Sequence, residues 1–335
     1  MTTLTVDVVD TDAPMKRRIV MDLIARQETT LVLVILAVGV FASVRSDVFL
    51  TTSNIAEIFR ATVVFFVMGC GTALLVIGGG LDFSAGASFT LGSLSTSLLL
   101  VRDIPWPVAV LVGLAAGAGV GIVNHLAITY GHVPPIIATL GTFFVLIGVD
   151  NLISQGADVL PLPDSFNRLG QTSTLGLPNI IWYAIGIGLL SWFLLERTRF
   201  GVHTRALGGN RLAAVGNGVR AGRVDLALYV LAAGSAALAG IIQTARVGAG
   251  QVQGGGTGTT LTVITAVLIG GVSILGGRGT ITGVALGALL LSEIDNALIV
   301  TAIPPEYNSI VIGSVLVAAV AVDHLRRQRL YKKLS

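Results

Sequence analysis

Residues Gly78 to Gly86 read Gly-Gly-Gly-Leu-Asp-Phe-Ser-Ala-Gly, and Asp82 is the only charged residue between Arg60 and Arg102. Apolar segments of about 20 residues, long enough to cross a bilayer, flank it on both sides. An ionisable group in that setting is a candidate for contact with a solute or an ion. Glycine-freed backbone groups and the Asp82 carboxylate together can line a polar path, as discontinuous helices do in transporters. The same residues also read as a tight hairpin in which Asp82 accepts hydrogen bonds from unpaired amides of the following helix. Asn124, Thr139, Asp150, Asn151, Glu293, Asp295 and Asn296 are further polar groups within or at the ends of apolar runs. Singly each reads as an interhelical hydrogen-bonding group, and together they read as the lining of an aqueous cavity. The run Gly248 to Gly258, with Gln251 and Gln253, fits no nucleotide-binding glycine pattern. It reads as a flexible turn between spans.

Several chemistries are excluded. Lysine occurs only at positions 16, 332 and 333, so no Gly-x-x-x-x-Gly-Lys phosphate loop exists. The histidines at 125, 132, 203 and 324 are scattered, and the one cysteine, Cys70, forms neither an intrachain disulfide nor a thiolate metal cluster. The expectation is a chain that is not an enzyme and binds no cofactor or metal itself.

The elements that must position these groups are membrane spans. Of 335 residues, 53% are hydrophobic and 12% charged, about half the charge of a soluble domain, and mean hydropathy is +0.86. The fold class is an all-α polytopic membrane protein of about ten helices, with a broken or re-entrant segment near Gly78-Gly86. Apolar runs place the spans at 29-45, 57-79, 83-101, 106-128, 134-153, 179-196, 224-245, 260-276, 281-302 and 306-323. A cytoplasmic segment 1-28 precedes the transmembrane domain 29-323, and a basic tail 324-335 follows it. With both termini cytoplasmic, inside segments hold 16 of the 21 Lys and Arg residues, as the positive-inside rule requires. The polar lead of about 28 residues favours an uncleaved first span over a signal peptide. The longest outside loop, Ser154 to Pro178, reads as a surface connection. Thr72-Ala-Leu-Leu-Val-Ile-Gly-Gly echoes Thr265-Ala-Val-Leu-Ile-Gly-Gly, but both copies share one orientation and give no sign of an inverted repeat.

The inside loop 197-223 carries a second signal. Asn210 followed by Arg211-Leu-Ala-Ala-Val, then Gly216 and Gly218, predicts a short helix capped at both ends. A short helix on a basic loop suits docking onto another protein; the alternative is a solvated basic loop held by anionic lipid headgroups.

At this loop the chain resembles the ribose-type sugar permease subunits of bacterial ATP-binding cassette importers. RTRFG followed by ALGGNRLAAVGNGV carries the likeness, GGGLDFSAG looks like that family's Gly-Gly-Ile-Asp-Leu-Ser-Val-Gly, and PPIIATLGT and VLIGGVSILGGRGTITGVALGALLL follow in family order. The resemblance implies a permease moving a monosaccharide or related polyol inward across the inner membrane by alternating access. It implies as partners a second permease chain, two cytoplasmic ATP-binding subunits that hold ATP and Mg, and an extracytoplasmic sugar-binding protein. By the same resemblance, Asp82, Ser84, Asn124, Thr139 and Asn296 are candidate pathway residues. Ala206, Gly208, Gly209, Asn210, Ala213, Ala214, Gly216 and Gly218 are then candidates for coupling to the ATPase. Thr260 and Thr262 stand where family members often carry acidic groups, Ile147 where an Arg is common, and Asp295 where many have Asn. The alternative is an ion-coupled secondary transporter using Asp82, Glu293 or Asp295.

Overall fold

A computed structural model of the chain describes residues 27–304, 307, 309–314 and 317. Most of them lie in helices: α1 Gln27–Arg45, α2 Thr52–Ile77, α3 Ala85–Leu100, α4 Trp106–Thr129, α5 Pro135–Ser154, α6 Asp164–Gln171, α7 Asn179–Arg197, α8 Arg199–Gly209, α9 Arg211–Gly216, α10 Ala221–Val247, α11 Thr257–Ile269 and α12 Ile281–Val300. A two-residue ribbon, β1 Ser173–Thr174 and β2 Leu177–Pro178, joins α6 to α7.

Seven of these helices are long and apolar enough to cross a membrane: α1, α2, α4, α5, α7, α10 and α12. The apolar helices α3 and α11 are shorter. At 1.5 Å per residue they reach about 24 and 20 Å, less than the roughly 30 Å of hydrocarbon. The expected count of about ten full spans is therefore not established. The run at 306-323 falls largely outside the described residues, as do residues 1-26 and the tail 324-335.

Local chemistry sets the helix ends. α2 starts five residues before its apolar run because the Thr51 side chain accepts from the Asn54 amide, a cap that satisfies an orphan donor. Proline in the first turn opens α4 and α5, where its missing N–H has no cost. α11 stops at Ile269, ahead of Gly270 and Gly271, seven residues short of the apolar run.

α10 is the axis of the bundle and packs against α2, α3 and α4. Its buried face is Ala232, Ala233, Ala236, Ala237 and Ala239, small enough for neighbouring backbones to approach closely, as packing between helices in lipid favours. One end of the bundle gathers the α2 terminus, α8, α9 and the segment after α11, and is called here the loop end. The far end holds an ion pair of Glu57 with Arg60 at 3.6 Å and another of Glu57 with Arg246. Ser154 to Pro178 is more than a surface connection, because α6 seats Phe166 in a buried cluster with Leu100, Ala109, Ile241 and Ala245.

The shortness of α3 and α11 has one architectural cause. α2 runs to the loop end, the chain turns at Gly78–Gly80, and α3 begins back inside the bundle before running to the far end. α10 runs the other way, and the chain folds back through residues 248–256 so that α11 begins inside and runs to the loop end. The two first turns meet, with the Gly86 amide donating to Thr260 Oγ1 at 2.9 Å. A Cβ on Gly86 would collide with the Gly255 carbonyl oxygen and lie 2.7 Å from that of Gly256, so the contact demands glycine. The α2–α3 and α10–α11 units are thus inverted relative to each other, although their sequences show no inverted echo. The echo of Thr72 and Thr265 joins two segments that both end at the loop end, in the same sense, as expected. Residues 248–256 are no flexible turn: Gly250 and Val159 exchange backbone hydrogen bonds of 2.9 and 3.0 Å, and Val252 donates to Asp158 Oδ1 at 2.8 Å.

Candidate functional site

Asp82 is 2% exposed and Ser84 fully buried. Asp82 Oδ1 accepts from the Ser84 amide at 2.7 Å and the Ser84 hydroxyl at 2.6 Å. Asn124 on α4 donates through Nδ2 to Ser84 Oγ at 2.9 Å, with Asp82 Oδ1 at 3.5 Å. Asp82 does not cap α3 as expected: the N-cap is Ser84, with no side-chain cap bond, and Asp82 holds that residue rather than an amide of the helix. Thr139 on α5 accepts from the Phe83 amide at 3.1 Å, and the Tyr229 hydroxyl on α10 lies 3.5 Å from the Leu81 carbonyl. Three helices thus fix the break from three sides.

Two acceptors in this cluster, Asp82 Oδ2 and Asn124 Oδ1, are buried without a donor among the described residues. A buried unsatisfied acceptor is costly, and these two retain the capacity to accept a hydrogen bond when a rearrangement brings a donor to them. Of the five candidate pathway residues, the fold assembles Asp82, Ser84, Asn124 and Thr139. Asn296 is elsewhere: on α12 it exchanges hydrogen bonds of 2.9 and 2.8 Å with Asn54 of α2, and Asn54 also donates to the Phe49 carbonyl at 2.9 Å. Glu293 packs toward Gly39 of α1, in a different group of helices from Asp82.

The docking loop has the expected capped helix. Asn210 Oδ1 accepts from the Ala213 amide at 3.0 Å and opens α9. Ala213, Ala214 and Gly216 lie in α9 and Gly218 in the turn after it, whereas Ala206, Gly208 and Gly209 form the last turn of α8. Arg211 makes a two-pronged pair with Asp225, at 3.3 and 2.5 Å, and this hydrogen bond raises the guanidinium pKa above its usual value. Leu212 is 88% exposed, an apolar group offered to a neighbour.

Sequence reading did not foresee α8 or what it touches. The Gly277 amide donates to the Ile77 carbonyl at 2.8 Å, and Gly208 fits against both: a Cβ there would overlap the Ile77 oxygen and lie 2.6 Å from the Gly277 nitrogen. α8 therefore rests on the end of α2 and on the segment after α11, the loop-end termini of both broken units. The only available signal was the Gly208-Gly209 pair, which composition alone does not assign to a contact.

Broken helices meeting inside a multi-pass bundle, a buried cluster of unpaired acceptors and a projecting docking helix define a membrane transport subunit. The chain belongs to the family described as the permease component of the branched-chain amino acid transport system, which matches residues 54–320. It is 33% identical to the ribose import permease protein RbsC of Escherichia coli, over 90% of this chain and 94% of that one. It is 31% identical to the D-allose transport system permease protein AlsC of Escherichia coli, over 88% and 91% of the two chains. It is also 31% identical to the autoinducer 2 import system permease protein LsrC of Salmonella choleraesuis, over 92% and 91%. No solved structure matches the chain. The protein is thus a permease subunit of an ATP-binding cassette importer rather than an enzyme, and these relatives give the ion-coupled alternative no support.

Proposed function

We propose that this subunit carries a monosaccharide or related polyol inward across the bacterial inner membrane, with both termini in the cytoplasm. The observation that carries the reading is the likeness, over nine-tenths of the chain, to a ribose import permease. The geometry agrees with it: the unpaired acceptors Asp82 Oδ2 and Asn124 Oδ1 suit a solute rich in hydroxyl donors.

The subunit works with a second permease chain, two cytoplasmic ATP-binding subunits and an extracytoplasmic sugar-binding protein. ATP and Mg belong to the ATP-binding subunits. Exposed Leu212 and the rest of α9 seat on an ATP-binding subunit, and its movement on binding ATP tilts α8. Because Gly208 abuts Ile77 and Gly277, that tilt bears on both broken units together. The bundle then exchanges between states open to either side, each favoured by different partner contacts, as any population shift requires. The test is reconstitution of the assembled importer in vesicles. ATP-dependent uptake of D-ribose or D-allose is expected, and uptake driven by an ion gradient without ATP overturns the reading.

A further inference from the structure

A second polar site lies apart from the Asp82 cluster, where α3, α5 and residues 252–256 line a partly open cavity of about 150 Å³. Its polar lining is Thr90, Asp150, Asn151 and Gln253, with Gly255 and Gly256 contributing backbone. Asp150 is 2% exposed, and among the described residues neither carboxylate oxygen has a hydrogen-bond donor. Asn151 spends its Nδ2 on the Ile147 carbonyl at 2.7 Å, which leaves its Oδ1 free to accept. The wall formed by residues 252–256 is braced, since Thr259 Oγ1 donates to the Gly254 carbonyl at 3.1 Å and Val252 is held by Asp158.

We propose that this cavity is a hydroxyl-binding station through which a neutral polyhydroxy solute of pentose or hexose size passes; the inference rests on the sugar-permease reading above. The lining selects the solute class. The two Asp150 oxygens have no protein donor among the described residues and keep the capacity to accept from hydroxyl groups. Among the described residues no arginine or lysine lines the cavity, so its side chains offer no cation to a carboxylate. A metal ion would need several charged ligands, and among the described residues no group of three His, Cys, Asp or Glu assembles. The volume corresponds to about five waters at roughly 30 Å³ each, room for a small solute. Thr90 lies about 9 Å further along α3 than Ser84, so one short helix carries both polar stations.

The test uses the assembled importer in vesicles, with labelled D-ribose, D-allose and L-leucine as probes and ATP hydrolysis read in parallel. Wild-type uptake of L-leucine but of neither sugar overturns the solute assignment of the permease whatever Asp150 does. With sugar uptake established, Asp150→Asn and Gln253→Ala are each expected to raise the KM for sugar, by about tenfold for Asp150→Asn. The amount of permease in the membrane and basal ATP hydrolysis should stay unchanged. Unaltered KM in both variants overturns the proposal, and so does an Asp150→Asn variant that lowers only the amount of folded protein. An independent measurement places a thiol at the cavity by Gln253→Cys in a Cys70→Ser background. Sugar should slow its labelling by a membrane-impermeant maleimide at concentrations that track KM, and labelling indifferent to sugar refutes the station.

Discussion

Gly208→Ala isolates the mechanical contact between the docking loop and the bundle. The added methyl meets only backbone: the Ile77 carbonyl oxygen inside van der Waals contact and the Gly277 nitrogen at 2.6 Å. Neither can rotate away, so α8 must lift or the 2.8 Å bond between Gly277 and Ile77 must open. Overpacking of this kind costs about 1–3 kcal/mol, or roughly 5- to 150-fold in the balance between two conformations. Gly209→Ala is the matched control, because a Cβ there meets nothing within 4 Å. Uptake and ATP hydrolysis by the assembled importer, normalised to permease in the membrane, are the assay. Gly208→Ala should retain ATP hydrolysis while losing most uptake, and Gly209→Ala should behave as wild type. Equal uptake by the two variants would refute transmission through this contact.

Other outcomes follow from single contacts. Asn210→Ala removes the α9 cap and should weaken that helix by about 1 kcal/mol, seen as lower affinity of the permease for its ATP-binding subunits, with Asn210→Asp retaining wild-type binding. Thr260→Val strands the buried Gly86 amide and should cost about 1–3 kcal/mol of stability; an unchanged thermal midpoint in detergent would count against the meeting of α3 and α11. Asn54→Ala and Asn296→Ala should couple by about 0.5–3 kcal/mol in a double-mutant cycle on stability, with little change in the KM for sugar; a KM effect from Asn296 alone would return it to the solute path.

Features set by neighbouring residues were legible in the sequence. Asn210 three positions before Ala213 announces a cap, Gly216 and Gly218 announce its end, and Asp82 among glycines announces a break. Asn124, which reaches Ser84 and Asp82, and Thr139, which receives the Phe83 amide, are both visible as polar members of apolar runs. What stayed hidden depends on depth and on distant partners. Hydropathy measures how apolar a segment is, not how far through the bilayer it travels, so α3 and α11 read as full spans. Gly86 and Thr260 lie 174 residues apart, and no local pattern announces that a glycine serves a threonine so far away. The same holds for Gly208 against Ile77, where the requirement is the absence of a side chain. Asp150 was visible as a polar group, but its place in a cavity depends on residues 252–256, which looked like a loose turn.

The meeting of α3 with α11 also sets a timetable for biogenesis. When Gly86 is added to the growing chain, the oxygen that will receive its amide is still 174 residues from being made, roughly 9–35 s of synthesis. Until then the polar tip of a short helix must be sheltered by water, lipid headgroups or the insertion machinery, since bare hydrocarbon offers it no partner. The first half of this permease therefore enters the membrane as an unfinished hairpin, and arrival of the second half completes it. Chains truncated before Thr257 should accordingly be prime substrates for membrane quality control, even though they contain most of the spans.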